Sequence, residues 1–165
     1  MERKALESHE VSEMALDLLG QINLFFSRTE AKASVILGVD TGMIWYLATK
    51  LPPIKTWDIH MLSALLPLGL IAASVCELYR SSFPQLKGGR ESLISFKEIA
   101  KRTEDRFLTD FTKRTAEELA QDLLGQVWRN SKILTKKIHC LKRAYTFCAS
   151  AVLAWGFAIA VLVNR

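Results

Sequence analysis

A carboxylate in the middle of an apolar run is the first feature of this sequence that demands a chemical explanation. Asp40 lies near the centre of Ala33–Thr49, a run bracketed by Lys32 and Lys50, with Gly38 and Gly42 on either side. At mid-bilayer such a group costs roughly 2.5–3.5 kcal/mol on insertion scales, so it must face a partner or water. Two readings stay open. Asp40 is a pore or packing switch exposed on activation, or it is a locally hydrogen-bonded residue at a helix interface lined by the two glycines.

Little else resembles a catalytic set. His9, His60 and His139 are far apart, and there is no HExxH, no GxSxG elbow and no Gly-rich phosphate loop. Cys76, Cys140 and Cys148 are odd in number and widely spaced, which suits reduced thiols better than a disulfide framework or a metal site. Glu117, Glu118 and Asp122 recur at helical spacing, but first turns favour acids, so these read as a solvated face. No enzyme, cofactor or metal site is expected.

Charge and apolarity are segregated along the 165 residues. Residues 81–143 hold 14 of the 22 Lys and Arg, whereas 144–163 hold no charge. The net charge of +5 fits basic loops retained in the cytoplasm beside anionic lipid. Nucleic acid is not expected as a partner, since no base-reading motif or interleaved aromatic platform occurs.

The elements that hold these residues are helical. Residues 5–26 predict an amphipathic helix, with Leu6, Met14, Leu18, Ile22 and Phe25 on one face, joined by Val11, Leu19 and Phe26. Glu7, Glu10, Glu13 and Asp17 occupy much of the other. The polar Met1–Glu13 stretch has no signal-peptide pattern, so the first span is expected to direct insertion. Three spans are expected: 33–51, then 59–79 with Pro67 as a kink, then 144–163. Leu51-Pro52-Pro53 and a connector with Lys55, Trp57 and Asp58 join the first two. Glu77 and Arg80 mark the exit of the second, and Pro84 and Gly88-Gly89 open a turn. Residues 91–113 predict one broken helix or two short ones. Thr115 and Glu118 match a capping box that starts a Pro-free helix running to Val163, about 70 Å long if unbroken.

The expected fold is thus all-α, with three transmembrane helices and a cytosolic helical bundle. Its expected parts are an N-terminal cytosolic helix (1–32), a transmembrane hairpin (33–80), a cytosolic helical region (81–143) and a third span (144–163). The positive-inside rule puts the N-terminus and residues 81–143 in the cytoplasm of a multi-pass membrane protein.

Beyond composition, Leu93-Ile94-Ser95-Phe96-Lys97-Glu98-Ile99, Phe107-Leu108 and Thr115-Ala116-Glu117-Glu118-Leu119 form a pattern. It continues through Asp122-Leu123-Leu124-Gly125-Gln126-Val127-Trp128-Arg129-Asn130-Ser131-Lys132-Ile133, then Lys137, Leu141 and Ala144. Together these resemble the membrane effectors of the Pycsar antiphage system. Arg28-Thr29-Glu30-Ala31-Lys32-Ala33 is similar to that family's opening motif. The resemblance implies an effector that senses cyclic UMP or cyclic CMP, made on infection by a partner pyrimidine cyclase. It then impairs the inner membrane and kills the cell before phage mature.

Such a ligand offers a phosphate charge, a ribose edge and a pyrimidine face. A helical receptor needs a cationic donor, an amide and a stacking ring for it. Gln126, Trp128, Arg129, Asn130 and Lys132 supply these types within two turns. Gln126, Arg129 and Asn130 can align, while Trp128 and Lys132 form a separate stripe. The plain alternative is that Gln126 and Asn130 bond between helices and Arg129 and Lys132 are solvated.

Three small spans cannot enclose a pore alone, so a homo-oligomer is expected. The rival reading is a non-catalytic membrane scaffold that binds a protein partner through its cytosolic helices. A holin-like lysis protein is a weaker one, given the large polar region. The three-span arrangement places Arg165 outside. A reporter fused after it should behave as periplasmic, and a cytoplasmic signal would remove the first span.

Overall fold

The computed structural model describes residues 2–50, 59–83, 89 and 91–163, and all regular structure among them is helical. Five helices follow in order: α1 (Glu2–Lys50), α2 (Ile59–Ser82), α3 (Phe96–Ile99), α4 (Glu104–Lys113) and α5 (Ala116–Val163). The Leu51-Pro52-Pro53 break, the Lys55–Asp58 connector, and Pro84 and Gly88 lie outside the described residues, as do the side chains of Leu6 and Glu7. α1 runs unbroken through both the amphipathic stretch and the apolar run after it. The 91–113 segment resolves into two short helices, α3 and α4. α5 begins at the capping box: Glu118 N–H donates to Thr115 Oγ1 at 3.3 Å, and Thr115 N–H donates to the Glu118 carboxylate at 3.0 Å. That second bond holds the Glu118 carboxyl below the ordinary carboxylate value. Its contribution is therefore present above that range and is lost as pH falls through the lowered value.

The chain forms two compact units. The second consists of Arg28–Phe83 and Lys136–Arg165, and its logic is a repeat of seven. On α1 the buried positions are Thr29, Ile36, Asp40, Met43 and Leu47. On α2 they are Ala64, Pro67, Ile71, Ser74, Leu78 and Ser81, with Glu77 beside them. On α5 they are Leu141, Ala144, Cys148, Ala151, Ala158 and Leu162, with Trp155 half-buried. Steps of three and four alternate on each helix, the pattern that keeps one seam facing its neighbours in a left-handed bundle. Ile36, Met43, Ile71, Leu78, Leu141, Ala144, Cys148 and Ala151 form one core cluster. Leu47, Ala158 and Leu162 form a second. Many seam residues are small (Ser74, Ser81, Ala144, Ala151, Ala158), which lets helices approach closely where dispersion and hydrogen bonds must do the packing.

Much of the outside of this unit is apolar too. Val35, Leu37, Ile44, Trp45, Leu62, Leu65, Leu66, Leu153 and Phe157 are all exposed. α2 (over Leu62–Ser82) and α5 are long and apolar enough to cross a membrane, yet only 33% and 22% of their most apolar windows are buried. A core helix of a soluble protein would be covered; these are not.

Three sequence expectations are corrected. Two helices, not three, reach the hydropathy of a span. The 33–51 segment falls short because Gly38, Asp40, Thr41 and Gly42 interrupt its apolar run before Trp45 and Tyr46. Nor do Gly38 and Gly42 line the Asp40 interface: a Cβ at either would meet nothing within 4 Å, because they lie on the exposed face opposite the seam. In the N-terminal half of α1 the buried stripe is Ala15 and Ile22, flanked by half-buried Ser12, Leu19 and Phe26. Met14, Leu18 and Phe25, expected on the buried face, are exposed. The seam selects the positions that continue the repeat through Thr29 and Ile36, even where a small residue sits there.

The seam assignment carries a direct test. Ala151→Leu should overpack the core cluster and cost about 1–3 kcal/mol. Leu153→Ala, on the outer face, should change stability in detergent by less than about 0.5 kcal/mol. Thermal unfolding of the two purified variants compares them, and the reverse order would invalidate the seam.

Candidate functional site

Each unit holds a polar cluster built round one aspartate. In the first unit, made of Met1–Ser27 and Pro84–Thr135, it gathers on Asp122. One carboxylate oxygen of Asp122 accepts from Ser92 Oγ and from Leu93 N–H, both at 2.8 Å. The other oxygen is 3.6 Å from Arg129 Nη2. Ser92 Oγ in turn accepts from the N–H groups of Ile94 at 3.2 Å and Ser95 at 3.0 Å. Arg102 closes the loop from its far side, donating to the carbonyls of Ser92 and Glu91, each at 2.9 Å. Glu91 has a φ of 59°, a left-handed conformation that costs a non-glycine residue energy and needs such bracing.

Arg129 lies against this loop. Its Nε donates to Gln126 Oε1 at 3.3 Å, and its Nη2 is buried without a hydrogen-bond partner, the Asp122 ion pair aside. A Cβ on Gly89 would approach Arg129 Nη1 to 2.5 Å, so the glycine makes room for the guanidinium. Beside the loop a cavity of about 260 Å³ is lined by Glu91, Ser92, Arg114, Glu118, Gln121 and Asp122, among others. Asp122 is thus both a wall of the cavity and the partner of Arg129. Three carboxylates against one arginine suit hydroxyl and N–H donors from a ligand better than its phosphate.

The five residues expected to hold a ligand do not converge. Gln126 and Arg129 are hydrogen-bonded to each other. Trp128 and Lys132 form their own stripe, with Lys132 Nζ 3.9 Å from the centre of the Trp128 ring and Trp128 60% exposed. Asn130 is half-buried, seven residues after Leu123 on the buried side of α5. Sequence reasoning missed Asp122 as an anchor, having placed it on a solvated face, and missed Arg102 and Ser92 altogether. The only signal for Asp122 was its place in a motif with no distinctive chemistry of its own, and Ser92 and Arg102 lie outside the quoted residues of that motif.

In the second unit the polar centre is Asp40, which is completely buried. Ser74 Oγ is 2.6 Å from Asp40 Oδ2 and 3.2 Å from the Ala144 carbonyl oxygen. The Cys148 thiol lies beside the same carboxylate, while Asp40 Oδ1 has no hydrogen-bond partner. One layer therefore joins α1, α2 and α5 through polar atoms. Among the described residues no group of three or more His, Cys, Asp or Glu could hold a metal ion.

The Asp122 anchor predicts a local phenotype. Asp122→Ala leaves the Ser92 hydroxyl and the Leu93 N–H without their acceptor, at a cost of about 1.5–3 kcal/mol. Hydrogen exchange should show the amides of residues 92–95 losing protection while those of 141–158 keep theirs. Unchanged exchange at 92–95 would remove the anchoring role.

The sequence profile of the family described as the Pycsar effector protein domain matches residues 14–164. Curated proteins and solved structures give no match. The matched span takes in the Asp122–Arg129 cluster, the Asp40 layer and both apolar helices. The chain belongs to the Pycsar effector family and is an effector of antiphage defence.

Proposed function

We propose that this effector senses a cyclic pyrimidine mononucleotide, cyclic UMP or cyclic CMP, made by a partner cyclase on infection, and that it then impairs the bacterial inner membrane and aborts the infection. It acts as a multi-pass membrane protein and without catalysis. The family match carries the reading. The apolar exterior of the second unit supports its membrane half.

Arg28–Lys50 of α1 is read as a third crossing beside α2 and α5. Its seam residues Ile36, Met43 and Leu47 sit in the same cores as theirs, and its outer face carries Val35, Leu37, Val39, Ile44 and Trp45. The seventeen residues of Ala33–Thr49 rise about 25 Å, the short end of what a bilayer requires. In this reading Asp40 is tolerated because Ser74 serves it inside the bundle rather than in lipid. Its unpartnered oxygen makes the layer the weakest in the seam, hence the place where a rearranged bundle admits water or ions. Oligomerisation supplies the further walls of a pore.

Sensing is assigned to the Asp122–Arg129 cluster. The ligand phosphate takes the buried Arg129 Nη2, and ribose and base turn toward the acid-lined cavity, whose wall Asp122 is. Drawing Arg129 away from Asp122 perturbs the carboxylate that holds residues 92–95. α5 carries Arg129 and Ala144 on one unbroken helix, so a shift at the first reaches the second without a flexible joint. A differential affinity of a few kcal/mol between resting and active arrangements suffices to switch the population.

Binding of labelled cyclic UMP and cyclic CMP to detergent-purified protein, with cyclic AMP as control, tests the reading. Arg129→Ala should weaken binding by roughly 1.5–3 kcal/mol while leaving membrane insertion unchanged. Equal binding by that variant moves the site elsewhere, and no binding of either pyrimidine nucleotide by the parent refutes sensing.

A further inference from the structure

We infer that Arg80 and Arg143 form a binding site for the phosphate of an anionic phospholipid headgroup. The site rests on the membrane reading of the second unit but not on nucleotide sensing.

α2 carries no charge from Met61 to Cys76, and α5 carries none from Ala144 to Val163. The first charges beyond these runs are Glu77 and Arg80 on α2 and Arg143 on α5. The structure brings all three together. Arg80 Nη1 lies 3.3 Å and Arg143 Nη2 3.1 Å from the same oxygen, Glu77 Oε1. A second tie, Ser81 Oγ to the Lys137 carbonyl at 3.3 Å, fixes the two helices at this level. The cluster therefore stands where two apolar runs end side by side, at the depth where headgroup phosphates begin.

Its charges do not close on themselves. One carboxylate faces two guanidinium groups, which leaves an excess of one positive charge. The Glu77 side chain is 6% exposed, whereas those of Arg80 and Arg143 are 60% and 49% exposed. Glu77 thus sits in the wall and aims both arginines outward, engaging a single oxygen of its own. Each guanidinium has five N–H donors in a planar fork suited to phosphate oxygens. Two forks converging at the edge of the hydrocarbon can clamp one phosphodiester, where each charge-assisted bond is stronger than in open water. The excess positive charge selects a headgroup with net negative charge, such as phosphatidylglycerol. A choline or ethanolamine headgroup would bring its own cation against the arginines.

The full-length chain in uncharged detergent is titrated with short-chain phosphatidylglycerol, short-chain phosphatidylcholine or inorganic phosphate at matched ionic strength, and its melting temperature is followed. Phosphatidylglycerol should raise it saturably and the other two should not. The Arg80→Gln, Arg143→Gln double variant should weaken the apparent affinity by about tenfold or more. Lys32→Gln, Lys50→Gln, which removes exposed basic residues of α1, should leave it intact. An equal loss in the lysine variant would mean diffuse attraction and overturn the site. An equal response to inorganic phosphate would overturn the lipid as its occupant. Native mass spectrometry of the unmodified protein gives an answer that does not depend on the arginine variant folding. Retention of phosphatidylcholine as readily as phosphatidylglycerol rejects the proposal. Failure of the parent to stay in carbonate-washed phosphatidylcholine vesicles would instead reject the membrane reading itself.

Discussion

The 2.6 Å bond between Ser74 and Asp40 ties α1 to α2 inside a unit whose exterior is largely apolar. A carboxylate can occupy that position only if the bundle supplies its partners, and a sevenfold repeat can carry it only if the helices keep one register. The layer thus makes the packing specific. Apolar seams of Ile, Leu and Ala tolerate sliding by a heptad, but a slide here leaves Asp40 and Ser74 apart. The small residues around the layer follow from the same need. Ala144 and Ala151 on α5 bring backbone close to the other helices, and the Ala144 carbonyl stands within reach of the Ser74 hydroxyl.

A parallel economy governs the first unit, where one acid organises a loop. Asp122 uses one oxygen for residues 92 and 93 and the other for Arg129. Arg102 braces the same loop through two carbonyls, and the left-handed Glu91 is held between these supports. The result is a segment with little regular structure in which the N–H groups of Leu93, Ile94 and Ser95 and the carbonyls of Glu91 and Ser92 all have side-chain partners. One of its two supports, Asp122, belongs to α5, the helix that also enters the apolar bundle.

The two units solve opposite solvent problems on shared helices. In the second, apolar side chains lie both on the outside and in a narrow seam, so amphipathic contrast is weak and hydropathy alone identifies α2 and α5. In the first, α4 has acids in its first turn and Lys113 in its last, and none of its residues is buried. That unit therefore presents Leu108 and Phe111 of α4 and Trp128 of α5 to its surroundings alongside many charges.

The sequence by itself determined the helical class, the long Pro-free α5, its capping box and the apolar character of the last span. Each depends on residues close along the chain, whose propensities and periodicity act locally. It determined the family as well, because the motif of residues 93–144 is a linear pattern. The tertiary structure alone decided which face of α1 is buried, since Met14 and Ala15 differ by 100° on the helix and only the continuing seam chooses between them. It decided that Gly38 and Gly42 point away from Asp40 while Ser74, 34 residues on, points toward it. Asp122 became an anchor rather than a solvated acid, and Arg80, Glu77 and Arg143 became one cluster, for the same physical reason. Hydrogen bonds and ion pairs between distant residues exist only once packing has brought their helices within about 3 Å of contact.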